Sequence, residues 1–463
     1  MLFQKSVFAL SRSLSGTQPV KASILGIFVG LLLVMVGSFA SAEERIVEPF
    51  EGSSFPNKDW SLHGGPQIGT QAPGSNTILD NATGNNSGIH VSAWATGAFN
   101  VSNEQTSGGN APAGYTIDPN QLDLTEAIFR IVKYADTVQT DHWGWGMKID
   151  ALYGKDYYMF LSKGLFSNQL IPSSGTDTTI VGKKYGYDLP QFYADFYTPA
   201  VAQGLNVRVG RILTDPTVYF GRNQLFTHTI FDNNIGDTQT GVITTTRVSQ
   251  NVIVQLGGVN TADVAISDRT DSKLTGYAAV QWNSPGQSDS VYLEAYNVNN
   301  GDYAYHNWQT YYAIWTHKFD SHFFNRLQTA YFYENNVPVL NQNPNAQASG
   351  LGFAIRNPGE NNISASAQTT KINGYSFVDT MGYSIDDRNY VVGRLEYTSD
   401  PEGSVTGSAA DYFGWTLGMG HNFTPWMTGT AEVRQDYSYK SAAFDNGAQN
   451  HLDLFAASLT FHM

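Results

Sequence analysis

The sequence predicts an all-β fold, a transmembrane antiparallel β-barrel of about 16 strands (range 14–18) with short periplasmic turns and long external loops. Three observations carry that prediction. The chain breaks into segments of roughly 8–14 residues in which apolar and polar side chains alternate, the two-residue period of a strand. The connections between these segments alternate between long and short, as a spanning barrel requires. Finally, 14% of the 463 residues are charged, against about 25% in an average soluble protein, while 13% are aromatic. Asn, Gln, Ser, Thr, Gly and Tyr stand in for the missing charges, so mean hydropathy is still −0.27. This profile excludes a coiled coil, a collagen and a helical membrane bundle.

The first element is an address. Lys5, Arg12 and Lys21 precede an apolar run over 24–40, and Ala40-Ser41-Ala42 gives the small-x-small pattern of a signal peptide over 1–42, cleaved between Ala42 and Glu43. An uncleaved membrane anchor is the alternative, since the run approaches the length of a short spanning helix. Cleavage leaves 23 basic against 40 acidic side chains, a net charge of −17. So acidic a chain is a poor partner for nucleic acid. Residues 43–88 are rich in Gly, Pro, Asn and Ser and read as a periplasmic lead-in, with an extra strand or a plug as the alternative. No second apolar run of spanning length follows Ala42, so any membrane crossing must be made by strands.

The barrel occupies 89–463. Its predicted strands are 89–100, 121–134, 143–154, 188–199, 204–214, 239–247, 249–259, 272–283, 289–299, 307–320, 322–335, 373–386, 389–399, 411–423, 426–437 and 451–463. Long connections follow the odd-numbered strands (155–187, 215–238, 336–372), and short ones such as 200–203, 284–288 and 424–425 follow most even-numbered ones. An even strand count returns both ends to the periplasm. In DYFGWTLGMGHNF, Phe413, Trp415, Leu417 and Met419 share one face and Gly414, Thr416 and Gly418 the other. A barrel of this size is too wide for wall side chains to fill, so the polar face lines water and the apolar face meets lipid. The final segment places Phe455, Leu459, Phe461 and Met463 on one face, an apolar-faced terminal strand of the kind outer-membrane assembly machinery is expected to bind. Aromatic residues gather at strand ends (Trp143, Trp145, Tyr311, Tyr312, Trp426), where interfacial belts sit.

Several stretches resemble the OmpL-like β-barrel porin family: GIHVSAWATGAFNVSNEQTSGGN at 88–110, WGWGMKIDALYGKDY at 143–157, and DLPQFYADFYTPAVAQGLNVRVGRILTDPTVYFGRN at 188–223. The layout is similar over the whole barrel and strongest over 88–230. At Gly221-Arg222-Asn223 the chain departs from the Gly-x-Glu often found there in porin relatives. The resemblance implies an outer-membrane channel with no catalytic residues to carry over. It also implies that the third external loop, 215–238, folds into the lumen as a constriction bearing Asp215, Arg222, Asp232 and Asp237. An external loop packed on its neighbours is the open alternative.

The polar faces of the strands place Arg130, Lys148, Arg208, Arg326, Arg394 and Arg434 on the lumen wall, together with Glu126, Asp150, Asp195, Glu294, Glu396 and Glu432. Lys148/Asp150, Arg394/Glu396 and Glu432/Arg434 stand two apart on one strand, which suits ion-pair ladders, a transverse field, or both. With the wall nearly neutral, most net charge lies in loops, which predicts a mild cation preference.

With no Cys, disulfides, thiol catalysis and Cys-ligated metals are excluded. No nucleophile elbow, zinc helix or phosphate-binding loop occurs, so no enzyme activity, metal or cofactor is expected. The function expected is a porin, a passive diffusion channel for small hydrophilic solutes or ions in the outer membrane of a Gram-negative-type cell. The expected partners are outer-membrane lipid and the assembly machinery, with a homotrimer by analogy only. The alternatives are a plugged barrel that binds a surface partner through its loops and, more remotely, an outer-membrane hydrolase.

Overall fold

The computed structural model describes residues 88–463 apart from 138, 167–168, 170–183, 218–224, 233–235, 267–272, 287, 303, 305–306, 321, 339–368 and 387. The predicted signal peptide with its Ala42–Glu43 junction, the lead-in segment and Arg222 lie outside the described residues.

Sixteen strands close into a single antiparallel barrel. They are β1 (Ile89–Ser102), β2 (Leu122–Lys133), β3 (Gly144–Gly154), β4 (Gly186–Thr198), β5 (Leu205–Leu213), β6 (Thr238–Arg247), β7 (Val252–Asn260), β8 (Leu274–Asn283), β9 (Asp289–Val298), β10 (Gln309–Lys318), β11 (Phe323–Pro338), β12 (Thr369–Ser384), β13 (Asn389–Asp400), β14 (Ala410–Thr424), β15 (Met427–Tyr439) and β16 (His451–His462). Each strand pairs with its sequence neighbours, and β1 meets β16 in register from Trp94↔His462 to Ser102↔Leu454. The closure leaves no sheet edge unpaired, which is what lipid demands of backbone N–H and C=O groups.

Alternation along the strands separates two surfaces. On β14, Phe413 and Leu417 are exposed, whereas Gly414, Thr416 and Gly418 are buried. Ile149, Val209, Val242, Leu256, Leu293, Leu395 and Leu417 form an exposed aliphatic band around the mid-strand level. Exposed aromatics border it at both ends. Trp145, Phe196, Trp282, Trp315, Tyr383 and Trp426 stand near the short turns, and Tyr153, Tyr187, Tyr331, Tyr375 and Tyr439 near the long loops. An apolar band between two aromatic girdles is the lipid-facing surface of a spanning barrel. In the terminal strand Phe461 and Met463 are exposed and Leu459 is half-buried, whereas Phe455 is buried with its ring 5.6 Å from that of Phe99.

The register shifts at five places, including Thr96/Gly97 and Asp150/Leu152. Near the first, Gly154 ends β3 with φ +155°, and a Cβ there would lie 2.8 Å from the Thr125 carbonyl carbon. Only glycine lets β3 pass so close to β2 at the point where the strand stops.

At the loop end, the β1–β2 and β15–β16 loops clasp each other. Asp445 N donates to Gly109 O at 2.8 Å and Asn446 Nδ2 to Thr106 Oγ1 at 2.9 Å. A single helical turn, Tyr157–Phe160, follows β3, fully buried, and the Tyr158 hydroxyl donates to Gly114 O. The Arg211 guanidinium fixes this turn to the wall. It pairs with Asp188 at 2.8 Å, donates to Leu189 O at 2.7 Å and Thr238 Oγ1 at 3.0 Å, and reaches Phe160 O.

Candidate functional site: the charged inner wall and the loop docked on it

All the charged wall positions expected from alternation fall on the inner rows. Arg130, Asp150, Asp195, Arg208, Glu294, Arg326, Arg394, Glu396, Glu432 and Arg434 are buried, and Glu126 and Lys148 are half-buried. The reason is local. On a strand buried against lipid on one side, charges at every second position have only the interior to face.

Their partners differ around the ring. On β2–β4, Arg130 holds Asp150 in a bidentate pair at 2.6 and 2.8 Å, with its guanidinium 4.7 Å from the Trp94 ring centre. Lys148 approaches the same carboxylate at 3.8 Å, and Gln191 Nε2 donates to it at 2.9 Å. Glu126 accepts from Trp94 Nε1 at 3.0 Å and Thr96 Oγ1 at 3.3 Å. On β4–β5, Arg208 grips Asp195 with two bonds of 2.8 Å and lies 3.9 Å over the Tyr193 ring. These are cross-strand ion pairs in planar fork geometry, the strongest form a wall can use.

On β13–β15 the charges do something else. Arg394 lies 3.3 Å from Glu396, as spacing suggests. The expected Glu432/Arg434 pair does not form. Arg434 instead takes Asp436 at 2.6 Å on its own strand and Glu396 at 3.1 Å on β13. The intervening strand permits this because its inward positions are nearly bare. Gly414 faces both Glu396 and Asp436 in register, and a Cβ there would lie 2.9 Å from Glu396 Cγ. Asp436 completes the row Glu432-x-Arg434-x-Asp436. The same two-residue step that marks its neighbours identifies it, although the sequence reading omitted it.

Glu432, released from Arg434, receives the β5–β6 loop. Its two carboxylate oxygens accept from the backbone N–H groups of Phe226 and Thr227, each at 2.8 Å. Glu396 Oε2 accepts from Ile230 N at 2.8 Å. Arg394 donates to Thr227 O at 2.6 Å and His228 O at 3.3 Å, and Arg434 also donates to His228 O. Leu225 occupies the space left by the missing side chain of Gly418. The His228 ring stacks on Tyr115 of the β1–β2 loop at 3.9 Å. Its pKa falls to about 3, through burial first and then the charges of Arg394 and Arg434, so it stays neutral.

The carboxylates expected on this loop lie toward the other flank. Asp215 Oδ1 accepts from Thr217 N at 2.7 Å and Thr217 Oγ1 at 2.6 Å. Asp232 takes Thr229 Oγ1 at 2.6 Å and Gln328 Nε2 of β11 at 3.1 Å. Asp237 is buried, and its backbone N–H donates to Asp263 at 3.3 Å. Burial raises the pKa of all three, reinforced by the charge of Asp232 at Asp215, of Asp215 and Asp263 at Asp237, and less by Glu396 at Asp232. Arg326 donates to Pro216 O at 3.4 Å. Between these carboxylates and the arginine row, Phe231 packs against Tyr312 and Phe332. Among the described residues, no group of His, Asp and Glu is arranged to hold a metal ion.

The chain is similar in fold to solved outer-membrane barrels at low identity. The outer membrane channel DcaP of Acinetobacter baumannii is 9% identical, over 81% of this chain and 97% of that one, with a TM-score of 0.49. An anion-selective porin from Comamonas acidovorans is 8% identical over 81% and 99%, at 0.47. OmpT of Vibrio cholerae, in a trimer form, is 9% identical over 81% and 99%, also at 0.47. No curated protein sequence matches the chain. A family model does match, over residues 88–463, which is the whole closed barrel, and the chain belongs to that family, described as "Putative beta-barrel porin-2, OmpL-like".

Proposed function

We propose that this outer-membrane barrel is a passive diffusion channel for small hydrophilic solutes or ions, with the β5–β6 loop and the β13–β15 charges as its constriction. One observation carries the reading. Backbone groups of 226–230 are bound by Glu432, Glu396, Arg394 and Arg434, which stand far away in sequence on the inner wall. A loop bonded to the inner wall over several residues narrows whatever path runs through the barrel. The charged row of Arg394, Glu396, Glu432, Arg434 and Asp436 lines that path, and charged rings are the means by which pores sort ions. The acidic loops at the mouth favour a mild cation preference. In this reading the chain is exported through a cleaved signal over 1–42 and assembles as a homotrimer.

The test is planar-bilayer recording of the purified mature protein across a salt gradient. Large ohmic steps with a cation-side reversal potential support the reading. One observation favours the second reading, a plugged barrel acting through its loops: inward side chains such as Tyr292, Tyr312, Phe332 and Glu334 are fully or almost fully buried. A correctly folded barrel that passes no current would establish that alternative. Native-gel mobility before and after heating tests the trimer.

A further inference from the structure

The β5–β6 loop is pinched at its base. Thr214 N and Asp215 N both donate to Asp237 O, at 3.0 and 3.2 Å, so the two ends of the loop are bonded to each other. Asp215 and Asp237 each carry a buried carboxyl at this neck. Asp215 Oδ2 meets no hydrogen-bond donor, and neither side-chain oxygen of Asp237 does. Asp263 of the β7–β8 loop braces the far side. Its Oδ1 accepts from Thr238 N at 3.1 Å and Thr238 Oγ1 at 2.9 Å, and its Oδ2 accepts from Asp237 N at 3.3 Å. Backbone bonds therefore clamp two acids across one neck, out of reach of water.

The charges around this neck do not balance. Asp232 of the same loop faces Asp215 and Asp237, Asp263 faces Asp237, and Glu294 of β9 faces Asp215. The cations whose charge reaches the pair are Arg326 of β11 at Asp215 and Arg211 of β5 at Asp237. Arg211 is already committed to Asp188 of β4 at 2.8 Å, and Arg326 reaches the neck through Pro216 O at 3.4 Å. The phenols turned toward the pair, Tyr115, Tyr296 and Tyr312, bring no positive charge. Carboxylates that outnumber their cations away from water cannot all ionise, so the closed neck holds at least one proton. Burial and then the charge of Asp232 push the Asp215 carboxyl up to about 8. Burial and then Asp215 and Asp263 raise Asp237 well above the usual carboxylate range.

We propose that the neck of the β5–β6 loop is a proton-dependent hinge, closed while the Asp215–Asp237 pair keeps a proton and released when both carboxyls ionise. Closing takes a proton from bulk water and opening returns it. A carboxyl raised in the closed form favours closure fully below its ordinary value of 3.8, and that contribution is lost as pH climbs through about 8. Residues 226–230 keep their bonds to the β13–β15 wall meanwhile, so only the base of the loop swings. The hinge deepens the channel reading and relies on it only for an effect on current.

The experiment follows amide exchange in the full barrel in lipid vesicles from pH 5.5 to 8.5, corrected for intrinsic rates. Glu104 of the β1–β2 loop carries a separate raised carboxyl, at about 7, so Glu104→Gln is the background throughout. The expected result is exchange at Thr214 and Asp215 that quickens by about tenfold or more per pH unit, the slope of at least one released proton. Asp237→Asn, which keeps the shape but cannot ionise, flattens that rise, and Asp215→Asn reduces it. Phe226 and Thr227 stay level. No rise in the background barrel, a slope unchanged in Asp237→Asn, or an equal slope at Phe226 and Thr227 would overturn the hinge. If Asp237→Asn does not fold, Asp215→Asn carries the test, and an unchanged slope there overturns it. Absence of current in bilayers with the exchange result intact would sink the channel and leave the hinge standing. Current with exchange at the neck independent of pH would do the reverse.

Discussion

Arg434 reaches Glu396 at 3.1 Å although the two residues stand on strands that do not pair. The bond passes over β14, where Gly414 offers no side chain to block it. Arg434 also holds Asp436, so its removal strands that buried carboxylate and leaves Glu396 only Arg394 and the Ile230 amide. Arg434→Met is expected to cost about 3–5 kcal/mol, the usual penalty for breaking a buried pair from one side. Glu396→Gln costs less, because Asp436 still faces the guanidinium. Urea unfolding from lipid vesicles ranks the two, and a Glu396→Gln barrel as stable as wild type would show that the bridge across β14 contributes nothing.

Glu432 holds two backbone amides of the β5–β6 loop and nothing else in the arginine row replaces it there. Each of those charge-assisted bonds is worth roughly 1.5–3 kcal/mol. Glu432→Ala therefore frees the loop from the wall. The expected signature is amide exchange at Phe226 and Thr227 faster by about a hundredfold, at roughly 1.4 kcal/mol per tenfold, with noisier single-channel current. Exchange unchanged from wild type would place the anchor elsewhere.

A bulky side chain at Gly418 should act by a different route to the same end. Leu225 fills that space, so Gly418→Leu pushes the loop off by overlap while every charge stays in place. Overpacking of this kind costs about 1–3 kcal/mol. Conductance should change in the same direction as in Glu432→Ala, and opposite changes would separate the loop's position from the wall's charge.

The clasp between the β1–β2 and β15–β16 loops carries a pH dependence. Burial, reinforced by Asp445 and less by Asp453, pushes the Glu104 carboxyl up to about 7, against a weak opposing bond from Asn103. A carboxyl raised in the folded state stabilises the clasp fully below its ordinary value near 4.5 and loses that contribution as pH climbs through 7. Amides over 104–110 should therefore exchange, after correction for intrinsic rates, faster at pH 8.5 than at pH 5. Glu104→Gln should remove the difference.

The lipid-facing assignment is tested at mid-wall. Leu395 is exposed between the inward Arg394 and Glu396, so Leu395→Arg puts a charge among acyl chains for about 2–4 kcal/mol. Vesicle folding equilibria that move by less than 1 kcal/mol, against that expectation, would mean that this face does not meet hydrocarbon.

The strands were legible because alternation is a local signal: the exposed Phe413 and Leu417 and the buried Thr416 sit where period two puts them. Boundaries were less so. The strand expected over 322–335 runs on to Pro338, and its partner starts at Thr369 rather than 373. Asn336 and Pro338 fell in the expected connection over 336–372, yet pairing resumes beyond the irregularity at Glu334/Val337. The charged wall was legible position by position, but its pairings were not. Two-residue spacing suggested Glu432 with Arg434. The actual partners depend on a bare glycine on a neighbouring strand and on a loop some two hundred residues earlier. Asp215, Asp232 and Asp237 were identifiable as a charged loop, while the surface that loop rests on is set by contacts no local pattern encodes.

The trench that Gly414 and Gly418 cut into β14 also has a mechanical side. Arg434 ties β15 to β13 around the circumference, so three strands resist being slid past one another as a single plate. The stretch of wall from β8 to β10 carries tyrosines instead, and among the described residues no ion pair there spans an intervening strand. Squeezed by lateral pressure in the bilayer, such a cylinder would flatten on its tyrosine side first, and the loop would ride with the stiff plate as the opposite wall moved toward it.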